Sequence, residues 1–377
     1  MVNVKLSFVL AVFNWINLGG YIVRSADCLK KEYQYKASTI RSDGSGDETT
    51  QDEISGIAVS STNVVNNEKV IWVISDSGSP HVVAFGINSG KRLASVNIEE
   101  AIWNWSKDWE GLNIGPCDRG TCLYVMDTGN NAARNGHGHG GRNSRYVYRF
   151  EEPKLPKEIS SVKRYKLPKD DVDVIKYRYD QDGISTADSE ASFLDPLNQD
   201  LYIITKWNSE DHWRTRMFRI PGGTKHASIL NLKPLSNPTS KLKSNTWSRG
   251  DMSKDGKMIV LGAYGKAYFW KRLPGESVEQ AMSRDSCYKL YVPPSGYQHE
   301  SIAFGATPDK IYQVSEGYNP DLWKTKLLPT GSYPTPYPTN RPTTQTPTKR
   351  PTKAPTLECT CTCQNDGEEP TSRLLSF

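Results

Sequence analysis

A two-strand unit recurs five times along this chain, and a repeat of that kind leaves few folds open. Each unit opens on a short strand that begins with small or acidic residues: Ser55-Gly56-Ile57-Ala58, Glu110-Gly111-Leu112-Asn113, Glu190-Ala191-Ser192-Phe193, Gly250-Asp251-Met252-Ser253 and Glu300-Ser301-Ile302-Ala303. A more apolar strand follows and ends in polar residues: Ile71–Asp76, Leu123–Asp127, Leu201–Lys206, Met258–Tyr264 and Ile311–Glu316. Third strands such as Tyr146–Phe150 and Arg216–Ile220 come after some of them. Four short strands with their turns take about 40 to 50 residues, the length of one propeller blade. The interval from Glu110 to Glu190 is the longest and holds an insertion, at 136–141 or 170–186. The spacing predicts an all-β chain, a β-propeller over residues 27–328 with five blades, and leaves a sixth, degenerate blade open. Tyr33-Gln34-Tyr35-Lys36-Ala37 is expected to complete the last blade and close the ring. Ten Trp and 19 Tyr suit many short strands packed face to face.

Propeller geometry converts the repeat into a site. The first strand of each blade lines the channel, and the second runs back antiparallel, so one end of each converges on the same rim. Glu110, Glu190, Asp251 and Glu300 are expected there from the first strands. Asp76, Asp127, Lys206, Tyr264 and Glu316 are expected from the second. Carboxylates crowded on one axis repel, so they need a cation, a hydrogen-bond network or raised pKa values. Hard oxygen ligands at variable reach suit Ca2+ better than Mg2+, with Glu110, Glu190 and Glu300 as the metal ligands. The other reading makes these acids acceptors for the amides of neighbouring blades. Lys206, Arg249 and Arg214 offer counter-charge for an anionic ligand. Asp127-Thr128-Gly129-Asn130-Asn131 reads as a tight turn in which Asn and Gly take positive φ.

The ends of the chain bear on location. Lys5, an apolar stretch from Leu6 to Val23 and the small residues Ser25-Ala26 read as a signal peptide over residues 1–25. Asn14, Asn17 and Gly19-Gly20 make the same stretch a poor membrane anchor, so the expectation is a secreted, extracellular protein without a transmembrane anchor. Cysteine usage agrees, with Cys117 and Cys122 flanking a turn and Cys28 and Cys287 placed to staple the ends of the domain. Asn104-Trp105-Ser106 is a glycosylation acceptor. Residues 329–357 are a Pro/Thr-rich linker or stalk, expected to be disordered, and 358–377 form a tail with Cys359, Cys361 and Cys363. Seven cysteines leave at least one free or bonded to another chain, which admits a covalent tether to a matrix component as well as a trailing end. The net charge of +5 is scattered without a basic stripe, which excludes nucleic acid as the partner.

The common catalytic signatures are missing: there is no Gly-x-Ser-x-Gly elbow, His-Glu-x-x-His, phosphate loop or dinucleotide fingerprint. His299 adjoins Glu300 but points to the other face of an extended strand, and His137 and His139 lack a third ligand. The segments Ser75-Asp76-Ser77-Gly78, Asp108–Leu112, Asp127–Asn131, Asp188–Ala191, Thr205-Lys206, Glu300–Ala303 and Ser315-Glu316-Gly317, in that order, resemble a family of secreted or envelope-associated propeller proteins. The resemblance spans about residues 50 to 320 and implies a propeller. A looser likeness, resting on the Glu-containing strand starts, runs to calcium-dependent propeller hydrolases, the apyrases and phytase-like esterases. Two functions follow. One is a secreted, cation-binding module for an extracellular ligand or matrix component. The other is a Ca2+-dependent hydrolase of phosphoesters or nucleotides at the channel mouth.

Overall fold

The structure is a computed structural model, and it describes residues 28–41, 53–76, 80–102, 108–130, 142, 144–180, 187–207, 215–225, 229–236, 242, 244, 246–291 and 298–329. The chain divides into compact units 1–333 and 334–377, and every described residue belongs to the first. The signal peptide, Asn104, the Pro/Thr segment and the three tail cysteines lie outside the described residues, as do 136–141.

Five sheets form the five blades. After β1 (Leu29–Thr39), blade 1 runs outward as β2 (Ile54–Val65), β3 (Glu68–Ser75), β4 (His81–Gly86) and β5 (Arg92–Asn97). Blade 2 holds β6 (Trp109–Cys117), β7 (Gly120–Asp127) and β8 (Arg145–Glu151). Then β9 (Lys163–Lys166) leaves for blade 1, and β10 (Asp173–Tyr179) returns to blade 2. Blade 3 has β11 (Asp188–Leu194), β12 (Leu201–Trp207) and β13 (Met217–Ile220), after which β14 (Leu230–Leu232) steps back to the edge of blade 2. Blade 4 is β15 (Trp247–Met252), β16 (Met258–Ala263), β17 (Lys266–Lys271) and β18 (Tyr288–Tyr291). Blade 5 is β19 (His299–Phe304), β20 (Lys310–Ser315) and β21 (Asp321–Pro329), completed by β1. The pairing of β1 with β21 from Leu29–Pro329 to Thr39–Asp321 closes the ring, and Cys28–Cys287 adds a covalent staple. A second disulfide, Cys117–Cys122, ties the β6–β7 hairpin.

Residues 170–186, expected as an insertion, include the blade strand β10, and the excess length is the excursion through β9. Parallel pairing of β9 with β5 requires a long crossover; here it runs through β6, β7 and β8, and residues 152–162 are its last leg. The β2–β3 turn holds that crossover in place. Asn66, in the left-handed region at φ 50°, accepts from the Ile159 amide at 3.0 Å and donates to its carbonyl at 3.0 Å. Asn63 accepts from the Leu155 amide at 2.9 Å and donates to Glu152 at 2.8 Å.

The core lies between blades. Trp72, Trp109 and Tyr148 fill the space between blades 1 and 2, and Tyr177 and Phe218 that between 2 and 3. Tyr202 and Trp247, Phe269 and Phe304, and then Phe85 and Val314 fill the remaining three interfaces. Hydroxyls fasten the inner strands near the mouth. Ser55 donates to the Trp109 carbonyl, Thr128 to Ser189 at 2.6 Å, and Ser248 to His299 at 3.3 Å.

The inner strands approach so closely that a side chain would not fit at one point. A Cβ at Gly56 would stand 2.6 Å from the Leu112 backbone nitrogen. Backbone cannot swing aside as a flexible side chain can, so Gly56→Ala is expected to destabilise the propeller by about 1–3 kcal/mol. Chemical denaturation measures this, and a variant as stable as wild type would contradict it.

Candidate functional site

At one register in every inner strand an extra residue interrupts the pairing with the second strand: Ser55, Glu110, Glu190, Ser248 and Glu300. A bulge re-aims the side chain it carries. The three glutamates line a cavity of about one water molecule's size in the channel mouth. Arg249, Ser55, Ser192 and Ser301 complete its polar lining.

Three carboxylates form the tightest group. Ligand oxygens of Glu110, Asp188 and Glu190 all lie within 4.8 Å of one another, and the three residues are only 4%, 2% and 4% exposed. Asp188 accepts from the Asn130 amide at 2.9 Å through Oδ1, which leaves Oδ2 buried with no partner. Glu190 takes Lys206 on Oε1 and leaves Oε2 likewise. Glu110 rests against Gly129, where a Cβ would come 2.4 Å from Glu110 Oε1 and 2.5 Å from the Asp108 carboxyl carbon. Burial pushes the Glu110 carboxyl well above its usual range, and the charges of Glu190, Asp108, Asp188 and Glu300 add to the shift. Burial also raises Glu190 well above its range, with Asp188 adding to it and Lys206 opposing.

The acids of blades 1 and 5 meet in pairs instead, Asp76 with Glu53 and Glu316 with Glu300. Burial, then the charge and hydrogen bond of Glu53, lift Asp76 to about 7. Burial, then the hydrogen bond and charge of Glu300, lift Glu316 to about 8. Lys206 stands between the groups, bonded to Glu190, 4.0 Å from Glu300 and 5.1 Å from the centre of the Tyr264 ring. Burial opposes its charge, yet the two glutamates outweigh that and raise its pKa. Arg249 bonds the Ala263 carbonyl at 3.1 Å and is pushed down to about 10 by burial, against the pull of Glu300 and Tyr264.

The expected residues thus separate. Glu110, Glu190, Glu300, Lys206 and Arg249 meet at the mouth, and Asp76 and Glu316 interact there with Glu300. Asp251 is absent from the cavity lining. It accepts from the Phe304 amide at 2.7 Å, the acceptor role between blades, and Arg249 is the charged residue that blade 4 sends to the cavity. Asp127 is saturated by the Asp108 amide at 2.9 Å and by Arg142 at 2.6 Å. In the expected metal set, Glu300 lies outside the trio and Asp188 stands in its place. The Asp188-Ser189-Glu190 spacing was the available signal, since alternate residues of a strand share a face. Positive φ is confined to other positions among the described residues, so Gly129 serves close approach. His299 is buried within β19. His137, His139, Arg214 and Asn131 lie outside the described residues.

No protein-family model matches the chain, and no curated protein matches it. Among solved structures, the PQQ-bound aldose sugar dehydrogenase of Streptomyces coelicolor is 9% identical, with a TM-score of 0.39, over 80% of this chain and 98% of that one. Hydrazine synthase of Kuenenia stuttgartiensis is 10% identical, with a TM-score of 0.37, over 76% of this chain and 98% of that one. Likenesses of this size carry no argument about chemistry, and the propeller assignment rests on the five sheets.

Asp76 and Glu316 titrate higher when folded than when unfolded, so the folded state binds more protons. The stability they lend is present in acid and is lost as pH climbs through about 7 and 8. In chelator, the melting temperature is expected to fall between pH 5 and pH 8.5, and less steeply in Asp76→Asn/Glu316→Gln. A flat or rising profile for the wild type would contradict the assignment.

Proposed function

We propose that this is an exported propeller that binds a divalent cation, Ca2+ by the hardness of its ligands, at the channel mouth and serves as an extracellular binding module. The observation that carries the reading is the trio of Glu110, Asp188 and Glu190, with buried unpartnered oxygens on Asp188 and Glu190 facing a third carboxylate. Buried acids this close require protons or a cation, and an ion takes over the charge compensation as protons leave. All-oxygen donors suit Ca2+, with waters filling its larger shell. Two disulfides fit an oxidising compartment, and no helix among the described residues is long and apolar enough to cross a membrane. The Pro/Thr-rich segment and Cys359, Cys361 and Cys363 would hold the module to a matrix component.

A hydrolase is the second reading, and one observation favours it. Asp76 at about 7 and Glu316 at about 8 would be ready proton donors and acceptors beside the ion. Phosphoester turnover that EDTA abolishes would establish it, and its absence in Ca2+-loaded protein would leave the binding module.

Calorimetric Ca2+ titration at pH 8 tests the site. The wild type is expected to bind and to melt higher with the ion, while Glu110→Gln loses at least tenfold in affinity. A folded wild type that binds nothing, or a variant that binds equally, would sink the proposal.

A further inference from the structure

Blade 5 carries a second arrangement, on the outer part of its sheet and independent of the channel. Six of the tyrosines in blades 2 and 3 are buried: Tyr124, Tyr146, Tyr148, Tyr177, Tyr179 and Tyr202. Tyr33 and Tyr35 of β1 are instead 45% and 42% exposed, and their rings stack with centroids 5.7 Å apart. The register sets lysines directly across from them, Lys326 opposite Tyr33 and Lys324 opposite Tyr35, with Tyr312 on the far side of Lys324. Lys326 lies over the Tyr33 ring at 5.8 Å, and Lys324 lies over Tyr35 at 5.6 Å and Tyr312 at 6.0 Å. Lys326 also meets Glu32 at 3.3 Å, whereas the ammonium of Lys324 lies over rings and forms no ion pair among the described residues.

Cross-strand Tyr–Lys pairs recur on other outer strands, with Lys176 over Tyr146 in blade 2 and Lys266 over Tyr291 in blade 4, and what sets β1 apart is two adjoining exposed rings stacked on one another. Edge lysines suffice to keep an outer strand from pairing with another chain, and they leave no reason to expose two adjoining rings. A cation held over an exposed ring contributes only about 0.5–1 kcal/mol. Flat ring faces next to an ammonium with no carboxylate partner among the described residues match a ligand with apolar C–H faces and regularly spaced anionic groups. Sugar rings bearing carboxylates have both. The aromatic faces take the ring, and Lys324 makes a charge-assisted bond to the acid group. We propose that this face of blade 5 binds an acidic polysaccharide, with Tyr33 and Tyr35 as the platform and Lys324 as the charged contact.

The test uses the full-length chain in EDTA, so that any ion at the channel mouth plays no part. Binding to polygalacturonate is measured beside neutral dextran and dextran sulfate, for wild type, Lys324→Gln and Tyr33→Ala/Tyr35→Ala. Wild type is expected to bind polygalacturonate and not dextran, and each variant to lose tenfold or more. Lys324→Gln keeps the stem and the fold, and melting curves matched to wild type exclude unfolding as the cause. Folded wild type that ignores polygalacturonate would overturn the proposal. So would retention on polygalacturonate and dextran sulfate alike that neither variant weakens, since that is unspecific charge attraction. Concentration-dependent dimerisation abolished by the tyrosine variant would also overturn it, by assigning the face to a second copy of the chain.

Discussion

The pairing of β1 with β21 is the interaction on which the rest depends. A propeller is a cycle, and its five inner strands stand around an axis only while the cycle is closed. Nine register pairs join Leu29–Thr39 to Asp321–Pro329, at the two ends of the described residues. Cys28–Cys287 then fixes the start of β1 beside blade 4. Without that closure the five bulges would no longer face one opening, and the carboxylates they carry would be free to separate.

Closure therefore forces an electrostatic problem that the chain solves unevenly around the ring. Blade 1 offers Ser55 at the bulge and blade 4 Ser248, and both hydroxyls are spent on the next blade's carbonyl. Blades 2, 3 and 5 offer glutamates. Lys206 compensates two of them, Arg142 neutralises Asp127 outside the ring, and Glu316 meets Glu300 through a hydrogen bond. Glu110 and Asp188 are left facing one another and Glu190 with no cation of their own among the described residues, on that side of the mouth.

Much of the architecture was legible because it is periodic. Five strand pairs and the closing strand follow from spacing and residue type. Disulfide connectivity does not, and it is the structure that joins Cys28 to Cys287 and Cys117 to Cys122. The bulge was not legible, since Glu110 in Trp109-Glu110-Gly111 looks like any alternating strand, and only the register reveals that it interrupts the pairing. The same blindness placed Asp251 at the rim beside Arg249, when Arg249 alone of the two lines the cavity and Asp251, two positions on, accepts from the Phe304 amide. Asp188 was legible only through its spacing from Glu190, since it precedes the repeated strand start and its place beside Glu110 is set by the neighbouring blade. The departure of β9 to blade 1 left no local signal at all, because the partner strand lies some 70 residues upstream.

That departure has a consequence for how the molecule is made. Blade 1 receives its outermost strand from Lys163–Lys166, blade 2 receives one from Leu230–Leu232, and β1 waits for β21. No early blade is finished when its own residues emerge from the ribosome, so each nascent blade presents an open hydrogen-bonding edge until a later segment arrives. Assembly is thus a relay with a long final handover, and a chain arrested before residue 329 would expose the edges most prone to mispairing.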